Sequence, residues 1–527
     1  MTSEDPASAT RARRHFERGE SYLTGGQFDA AGVCFESVLA EYPQHQPSLL
    51  HMSTVRMHAG RFAQAHKLSA LAAQQKPDTP EAALLLLRQL VRLGQSAAAI
   101  ELCRPLPPPW WQTAHSMAAV AQQLSRVGGH ELARQFARAA AIKDPRHPSA
   151  LYMHAHLEVF FGEIQRAVDV LERCIKHHDD VVDPHWLLSR LRQPKISPRI
   201  DRIRRVLARV GPGEDQAYLA YALHNEYHEA KDYPRAWAAL ELGCKAQRGT
   251  LNYDVAAQRE LFQQLQQWRA PELGAQGGWI DPELTPIFVV GHFRSGTTLV
   301  ERILGGHSQI SAGGETQELP TQLRLATDHS SADVLDTHIL GVRDKLDYQQ
   351  IGRGYIDGMR WRSRNRPFVT DKLPSNSLNI GFIVKSLPNA RIIHVVRDPI
   401  DIGLSNLRTL FGQGCGYSYD QHEFIEYYRM HEAMMAHWHA ELPGRILDIQ
   451  YQDLVATPLA AAQKMTDFCG LPFEASMIAI EKSKDPVATA SSVLVRDGIR
   501  RDRSRLWGHY EQQLKPMVDA FAGQTPS

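Results

Sequence analysis

The chain has few of the features that mark an oxidising compartment, a membrane or a polyanionic partner. Its 527 residues include six cysteines, Cys34, Cys103, Cys174, Cys244, Cys415 and Cys469, widely scattered and without a C-x-x-C pair. That spacing argues against a disulfide framework and a zinc knuckle. Cys34, Cys103 and Cys174 fall in helical patterns and are expected to be small buried hydrophobes. No apolar run approaches the ~20 residues of a membrane span. The N-terminal residues lack the apolar centre of a signal peptide, so a cytoplasmic protein is expected. An excess of one charge is missing too: 59 Lys and Arg stand against 58 Asp and Glu. Such a balance gives no global field for nucleic acid or an anionic membrane, and any anion site must be local.

What the chain does have is length for two or three domains and a regular repeat. Gly26, Gly60, Gly94, Gly128 and Gly162 are each 34 residues apart, as are Ala31, Ala65, Ala99, Ala133 and Ala167. Phe28 and Phe62 follow the glycine in register, and Pro43, Pro77 and Pro145 close the unit. Gly permits a turn between two helices, Ala lets them cross closely and Pro stops the second helix. These are the marks of tetratricopeptide (TPR) repeats. The register loosens after Leu188, but Lys231-Asp-Tyr-Pro-Arg-Ala236 reads as one more such turn with Lys in place of Gly. Residues 1–268 are therefore expected to form an all-α TPR solenoid. The turn-rich stretch 269–285 is expected to be a linker, and 286–527 a second domain. His177-His178-Asp179-Asp180 reads as a solvated helix end, since adjacent residues there face different directions.

Within the second domain, Thr285 to Leu304 reads as strand, loop and helix: Ile287 to Val290 are apolar, Gly291 and Gly296 bracket a loop, and Leu299, Val300, Ile303 and Leu304 recur at helical spacing. Backbone N–H groups of such a loop converge on an anion, which the helix dipole also favours. The glycine spacing is that of a Walker A loop, but Thr297 replaces its lysine, which argues against a nucleoside triphosphatase or nucleotide kinase. Arg294 lies inside the loop, with hydroxyls at Ser295, Thr297 and Thr298. The sequence Arg-Ser-Gly-Thr-Thr resembles the 5′-phosphosulfate loop of sulfotransferases that use 3′-phosphoadenosine 5′-phosphosulfate (PAPS). The likeness is to protein-tyrosine sulfotransferases and to bacterial TPR-containing sulfotransferases. It implies that Arg294, Ser295, Gly296, Thr297 and Thr298 hold the donor's 5′ end.

Five further segments extend the resemblance. Arg391-Ile-Ile-His-Val-Val-Arg397, with Ser405 eight positions on, resembles the 3′-phosphate motif, for which a guanidinium fork and a hydroxyl are suited. Glu315, 21 residues beyond Arg294 in Ser-Ala-Gly-Gly-Glu-Thr, matches the family's general base; the competing reading is a capping carboxylate on a helix beginning near Thr316. Glu318 is the fallback base, or a first-turn acid complementing the helix dipole. Lys372 matches the lysine that stabilises transition-state charge, with a surface lysine as the alternative. Tyr451, in Tyr-Gln-Asp-Leu, matches a tyrosine near the nucleotide, with simple burial as the alternative. In Thr489 to Trp507, Ser491 matches a stabilising serine and Arg505 a nucleotide-binding basic residue, although Leu494 and Gly498 depart from the family's Gln-Val-Arg-x-Pro. His431, His437 and His439 read as packing and surface residues.

Further strands are expected over 309–312, 367–370, 391–396 and 445–449, with helices between them. The expected fold is a two-domain protein: an N-terminal TPR solenoid, then a three-layer α/β, P-loop-like domain with a mostly parallel sheet. The resemblance implies transfer of the sulfuryl group of PAPS to an acceptor hydroxyl without a metal. Glu315 would be the base, and Arg294, Lys372 and Ser491 would stabilise charge. A protein or peptide acceptor on the TPR surface is expected, with tyrosine as the candidate hydroxyl. A carbohydrate, a small molecule, or a non-catalytic PAPS-binding scaffold are the alternatives.

Overall fold

Glycine placement sets the helical half of the protein. The computed structural model describes residues 6–104, 110–191, 197–269, 277–483, 485–489, 492, 496, 498–499 and 506–523. In it Gly26, Gly60, Gly94, Gly128 and Gly162 all have a positive φ, between 72° and 82°. Each sits in the turn between paired helices, in a conformation that a Cβ disfavours. Lys231 adopts the same conformation with φ 61°, so the glycine-free turn is made in register at some local strain. Ala31, Ala65, Ala99, Ala133, Ala167 and Ala236 are completely buried, where a larger side chain would push the pair apart. All six cysteines are buried and free.

Packing groups the residues into two units, 1–143 with 317–361, and 144–316 with 362–527. In the first, Phe35 packs with Ala31, Met52 and Val55. The helix Glu318–Thr327 lies on the helix Phe62–Ala72. The Asp328 carboxylate just beyond it accepts the Ala63 N–H at 2.8 Å. That bond satisfies one of the unpaired N–H groups at the start of Phe62–Ala72.

Among its described residues the second unit has five parallel strands: β1 (Thr285–Gly291), β2 (Ile310–Ser311), β3 (Phe368–Asp371), β4 (Arg391–Val396) and β5 (Ile446–Gln450). Their order is β2-β3-β1-β4-β5. The register pairs Phe288 with Asp371 and with Ile392, and His394 with Asp448. Ile287 to Val290 are fully buried, as expected of a strand covered on both faces. Ile287 and Val289 pack with Val300, Ile303, Ala462 and Met465 of the helices Thr297–Gly305 and Pro458–Cys469. Helices Ile380–Ser386 and Gln421–Glu441 surround Trp268, whose ring lies 4.9 Å from Phe382 and 6.1 Å from Trp438. A Cβ on Gly381 would come within 2.5 Å of the Trp268 ring. Because the chain leaves β1 toward β2 on one side and β4 toward β5 on the other, the loops after β1 and β4 flank the crevice where such sheets bind ligands. No described helix is long and apolar enough to cross a membrane.

Candidate functional site

The loop after β1 is built so that only glycine fits at its ends. Gly291 has φ 145°, and a Cβ there would lie 2.7 Å from the Val395 carbonyl oxygen. Gly296 has φ 113°, and a Cβ would meet the Tyr451 ring at 2.4 Å. Gly296 is also the N-cap of the helix Thr297–Gly305 and supplies no side-chain hydrogen bond. The first N–H groups of that helix are therefore left for another acceptor. The buried Ser295 hydroxyl in the same loop has no hydrogen-bond partner among the described residues.

Arg294 is held with φ 73°, a conformation that costs a non-glycine residue roughly 1 kcal/mol or more. Its Nε donates to Ser405 Oγ at 3.0 Å, and its carbonyl accepts from Arg397 Nη1 at 3.4 Å. The two motifs read from sequence are thus joined directly. Arg397 lies over the Tyr451 ring, 4.3 Å from its centroid, and donates to Asp401 at 3.4 Å. Asp398 caps the helix Pro399–Leu407 by accepting the Ile400 and Asp401 N–H groups, which fixes the start of the helix that carries Ser405. Asn406 Nδ2 donates to the Phe293 carbonyl at 2.9 Å and steadies the loop from the same helix.

Burial pulls the Arg294 guanidinium down to about 10, and the charges of Arg190, Arg397 and Arg408 push the same way; Glu315 opposes them. Neither Arg190 nor Arg408 was expected from sequence. Arg190 ends the helix Val182–Ser189 and stacks over Trp186 at 4.8 Å. Arg408 Nε donates to His224 Nε2 at 2.9 Å, and burial keeps that imidazole neutral and able to accept. The positive charges that act on Arg294 favour an anion at this loop.

Glu315 and Lys372, expected separately, form a pair: Lys372 Nζ donates to Glu315 Oε1 at 2.5 Å. Lys372 is fully buried, whereas the Glu315 side chain is 39% exposed and open to an incoming group. The turn that presents Glu315 is pinned from below. Glu301 Oε1 accepts from the Gly314 N–H at 2.9 Å and from Thr370 Oγ1 at 2.8 Å, while the Lys372 N–H donates to the Gly314 carbonyl at 2.9 Å. Burial raises the Glu301 carboxyl, and the Lys372 charge opposes it. The capping reading of Glu315 is corrected: the next helix begins at Glu318, its N-cap is Gln317, and no side chain bonds there. Glu318 is the buried first residue of that helix and belongs to the other packing unit.

Tyr451 opens the helix Tyr451–Ala456 directly after β5, and its ring both is buried and lies against Gly296 and Arg397. Thr298 Oγ1 donates to Thr489 Oγ1 at 3.4 Å, so the C-terminal segment reaches the loop. Ser491 and Arg505 lie outside the described residues. Arg496 spans to the helical half, donating to the Phe160 carbonyl at 2.5 Å. If the Arg397 guanidinium meets a phosphate, Arg397→Ala is expected to cost roughly 1.5–3 kcal/mol of nucleotide binding. Unchanged affinity in calorimetry would remove it from the site.

The pattern described as sulfotransferase family matches residues 286–475, and a tetratricopeptide repeat matches 22–90. An uncharacterized protein of Aquifex aeolicus (strain VF5) is 28% identical over 395 residues, which is 72% of this chain and 51% of that protein. The chain thus spans about half the length of that relative. A putative protein-tyrosine sulfotransferase of Caenorhabditis briggsae is 25% identical over 193 residues, 36% of this chain and 68% of that one. The solved sulfotransferase domain from the curacin biosynthetic pathway is 18% identical, with 46% of this chain and 99% of that domain covered at a TM-score of 0.33. Residues 286–475 therefore form a domain of the sulfotransferase family, in one chain with tetratricopeptide repeats.

Proposed function

We propose that the protein transfers the sulfuryl group of PAPS to an acceptor hydroxyl, with 286–527 as the catalytic domain and 1–268 as the helical array. The observation that carries this reading is the direct contact of the two motifs on a glycine-bracketed loop: Arg294 Nε donates to Ser405 Oγ at 3.0 Å and Arg397 Nη1 donates to the Arg294 carbonyl at 3.4 Å. The helix N-terminus and the hydroxyls of Ser295, Thr297 and Thr298 receive the 5′ end of the donor, and Arg397 with Ser405 receives the 3′-phosphate. Glu315 takes the acceptor's proton as its oxygen bonds to sulfur, and the bond from sulfur to the bridging phosphate oxygen breaks. Adenosine 3′,5′-bisphosphate leaves with the electron pair. Lys372, Arg294 and Ser491 balance the charge that develops on the transferring group. A scaffold that only bound the nucleotide would have no use for the Glu315–Lys372 pair.

The relatives named as protein-tyrosine sulfotransferases support a tyrosine hydroxyl on a protein or peptide as first acceptor. Half-buried Tyr152, Trp186 and Tyr218, on the helices Pro148–Phe160, Val182–Ser189 and Glu214–Glu229, offer ring faces close to Arg190. A carbohydrate hydroxyl is the second reading, since such rings also stack on sugars.

Adenosine 3′,5′-bisphosphate at about 100 times its Kd is expected to stabilise the protein by about 2.7 kcal/mol, seen as a rise in Tm. ATP, which has no 3′-phosphate, is expected to do far less. Equal stabilisation by the two nucleotides would sink the PAPS assignment. Transfer of radiolabelled sulfate from PAPS into a cell lysate tests catalysis and displays the acceptor's class.

A further inference from the structure

We propose that His292, His431 and Glu432 bind a divalent transition-metal ion, zinc by preference, at the root of the anion loop. His292 is the first loop residue after Gly291, and His431 and Glu432 lie on the helix Gln421–Glu441. His292 Nε2 and His431 Nδ1 each stand 3.7 Å from Glu432 Oε1. The three donor atoms are within 4.8 Å of one another. These separations are too long for good hydrogen bonds. They approach the ~3.4 Å edge of a tetrahedron with zinc bonds of about 2.0–2.1 Å.

Unmet hydrogen-bonding capacity supports the same placement. Both ring nitrogens of His292 and Nδ1 of His431 are buried without a hydrogen-bond partner among the described residues. A buried polar group left in that state costs about 1–3 kcal/mol, which ligation removes for the nitrogens it uses. His431 Nε2 is 3.1 Å from the buried Ser377 Oγ. With its proton on Nε2, shared with Ser377, the ring turns the Nδ1 lone pair toward Glu432, the outer-shell arrangement that orients metal-binding histidines. Two histidine nitrogens and a carboxylate are a zinc donor set. The Glu432 side chain is 42% exposed, which leaves an entry path and a fourth position for water.

A neighbouring triad sharpens the contrast. His394 and His439 meet Asp448 Oδ1 at 2.9 and 3.0 Å, so direct hydrogen bonds already satisfy that cluster and it needs no ion. The proposed ion, by contrast, would tie the loop two residues before Arg294 to a long helix. It would fix the loop's shape and take no part in sulfuryl transfer.

Zinc titrated by calorimetry into the chelator-treated full chain is expected to bind at about one equivalent and to raise Tm. Ser377→Ala is expected to weaken binding roughly 10–100-fold, and Glu432→Gln at least as much. Both substitutions should leave the circular dichroism of the metal-free protein unchanged. In cobalt-loaded protein, visible absorption of a tetrahedral ion is expected in the wild type and lost in Glu432→Gln. Zinc affinity the same in wild type and both variants, or no zinc binding at all, overturns the proposal. These readouts need neither donor nor acceptor, so their failure would leave the sulfotransferase reading standing.

Discussion

Replacing Glu315 by Gln is expected to lower turnover on the true acceptor by roughly 10²–10⁴-fold while donor binding survives. The amide keeps the shape of the carboxylate and can still accept the bond that Lys372 Nζ makes to Glu315 Oε1. It has no lone pair basic enough to take the acceptor's proton. The substitution does not leave the buried ammonium bare, because the charge of Glu301 still acts on Lys372 from below. The loop after β1 is untouched, so adenosine 3′,5′-bisphosphate should bind Glu315→Gln within a few-fold of the wild type. Single-turnover rates with loaded donor separate the two effects. Near-normal turnover in this variant would move the base elsewhere, and Glu318→Gln would be measured next. The acceptor must be in hand, since slow hydrolysis of PAPS without it need not use this carboxylate.

Much of this architecture was legible in the residues because it rests on local backbone requirements. The 34-residue glycine series marks positions where φ must be positive, and the structure places all five there. Lys231 follows the same rule without being glycine, and only the register around Ala236 betrayed it. The strands were legible as apolar runs beside turn residues: β4 spans Arg391–Val396 as expected, and the others differ by a residue or two. Arg294 and Arg397 announced themselves by flanking glycine and Asp-Pro signals.

What was not legible depends on tertiary placement. Arg190, Arg408 and Glu301 are single charges in helical patterns, and no spacing distinguishes them from solvated surface residues until the chain folds. Residues 317–361 read as part of the second domain, yet Asp328 and Thr321 pack with helices of 1–143. That choice depends on one carboxylate meeting one free N–H group, which leaves no periodic trace. The helix expected near Thr316 starts two residues later because the Thr316 hydroxyl donates instead to Asp371, at 3.0 Å, which anchors the Glu315 turn to β3. His431 read as a packing residue because nothing in the order of the chain places it beside His292.

Arg294→Ala is expected to lower kcat/KM by about 10²–10³-fold, the scale on which loss of one preorganised donor to developing charge is felt. It should also weaken the donor complex, because the charge meets the transferring group before as well as during reaction. The unliganded protein should respond in the opposite direction. Arg294 is buried and repelled by Arg190, Arg397 and Arg408, and Glu315 opposes them. Its charge therefore costs stability until an anion is bound. Removing it takes away a hydrogen bond to Ser405, a term of about 1 kcal/mol, but also relieves that repulsion and desolvation. Alanine accepts the backbone conformation at φ 73° no more easily than arginine does, so strain there cancels. The apo Tm of Arg294→Ala should equal or exceed that of the wild type, while the shift produced by adenosine 3′,5′-bisphosphate shrinks. Arg294→Lys should recover the charge but little of the activity, because an ammonium lacks the planar fork that reaches Ser405 and a sulfuryl oxygen together. A variant that loses apo stability and keeps its nucleotide-induced shift would show that Arg294 is a structural residue, and the charge balance proposed for the transferring group would have to be carried without it.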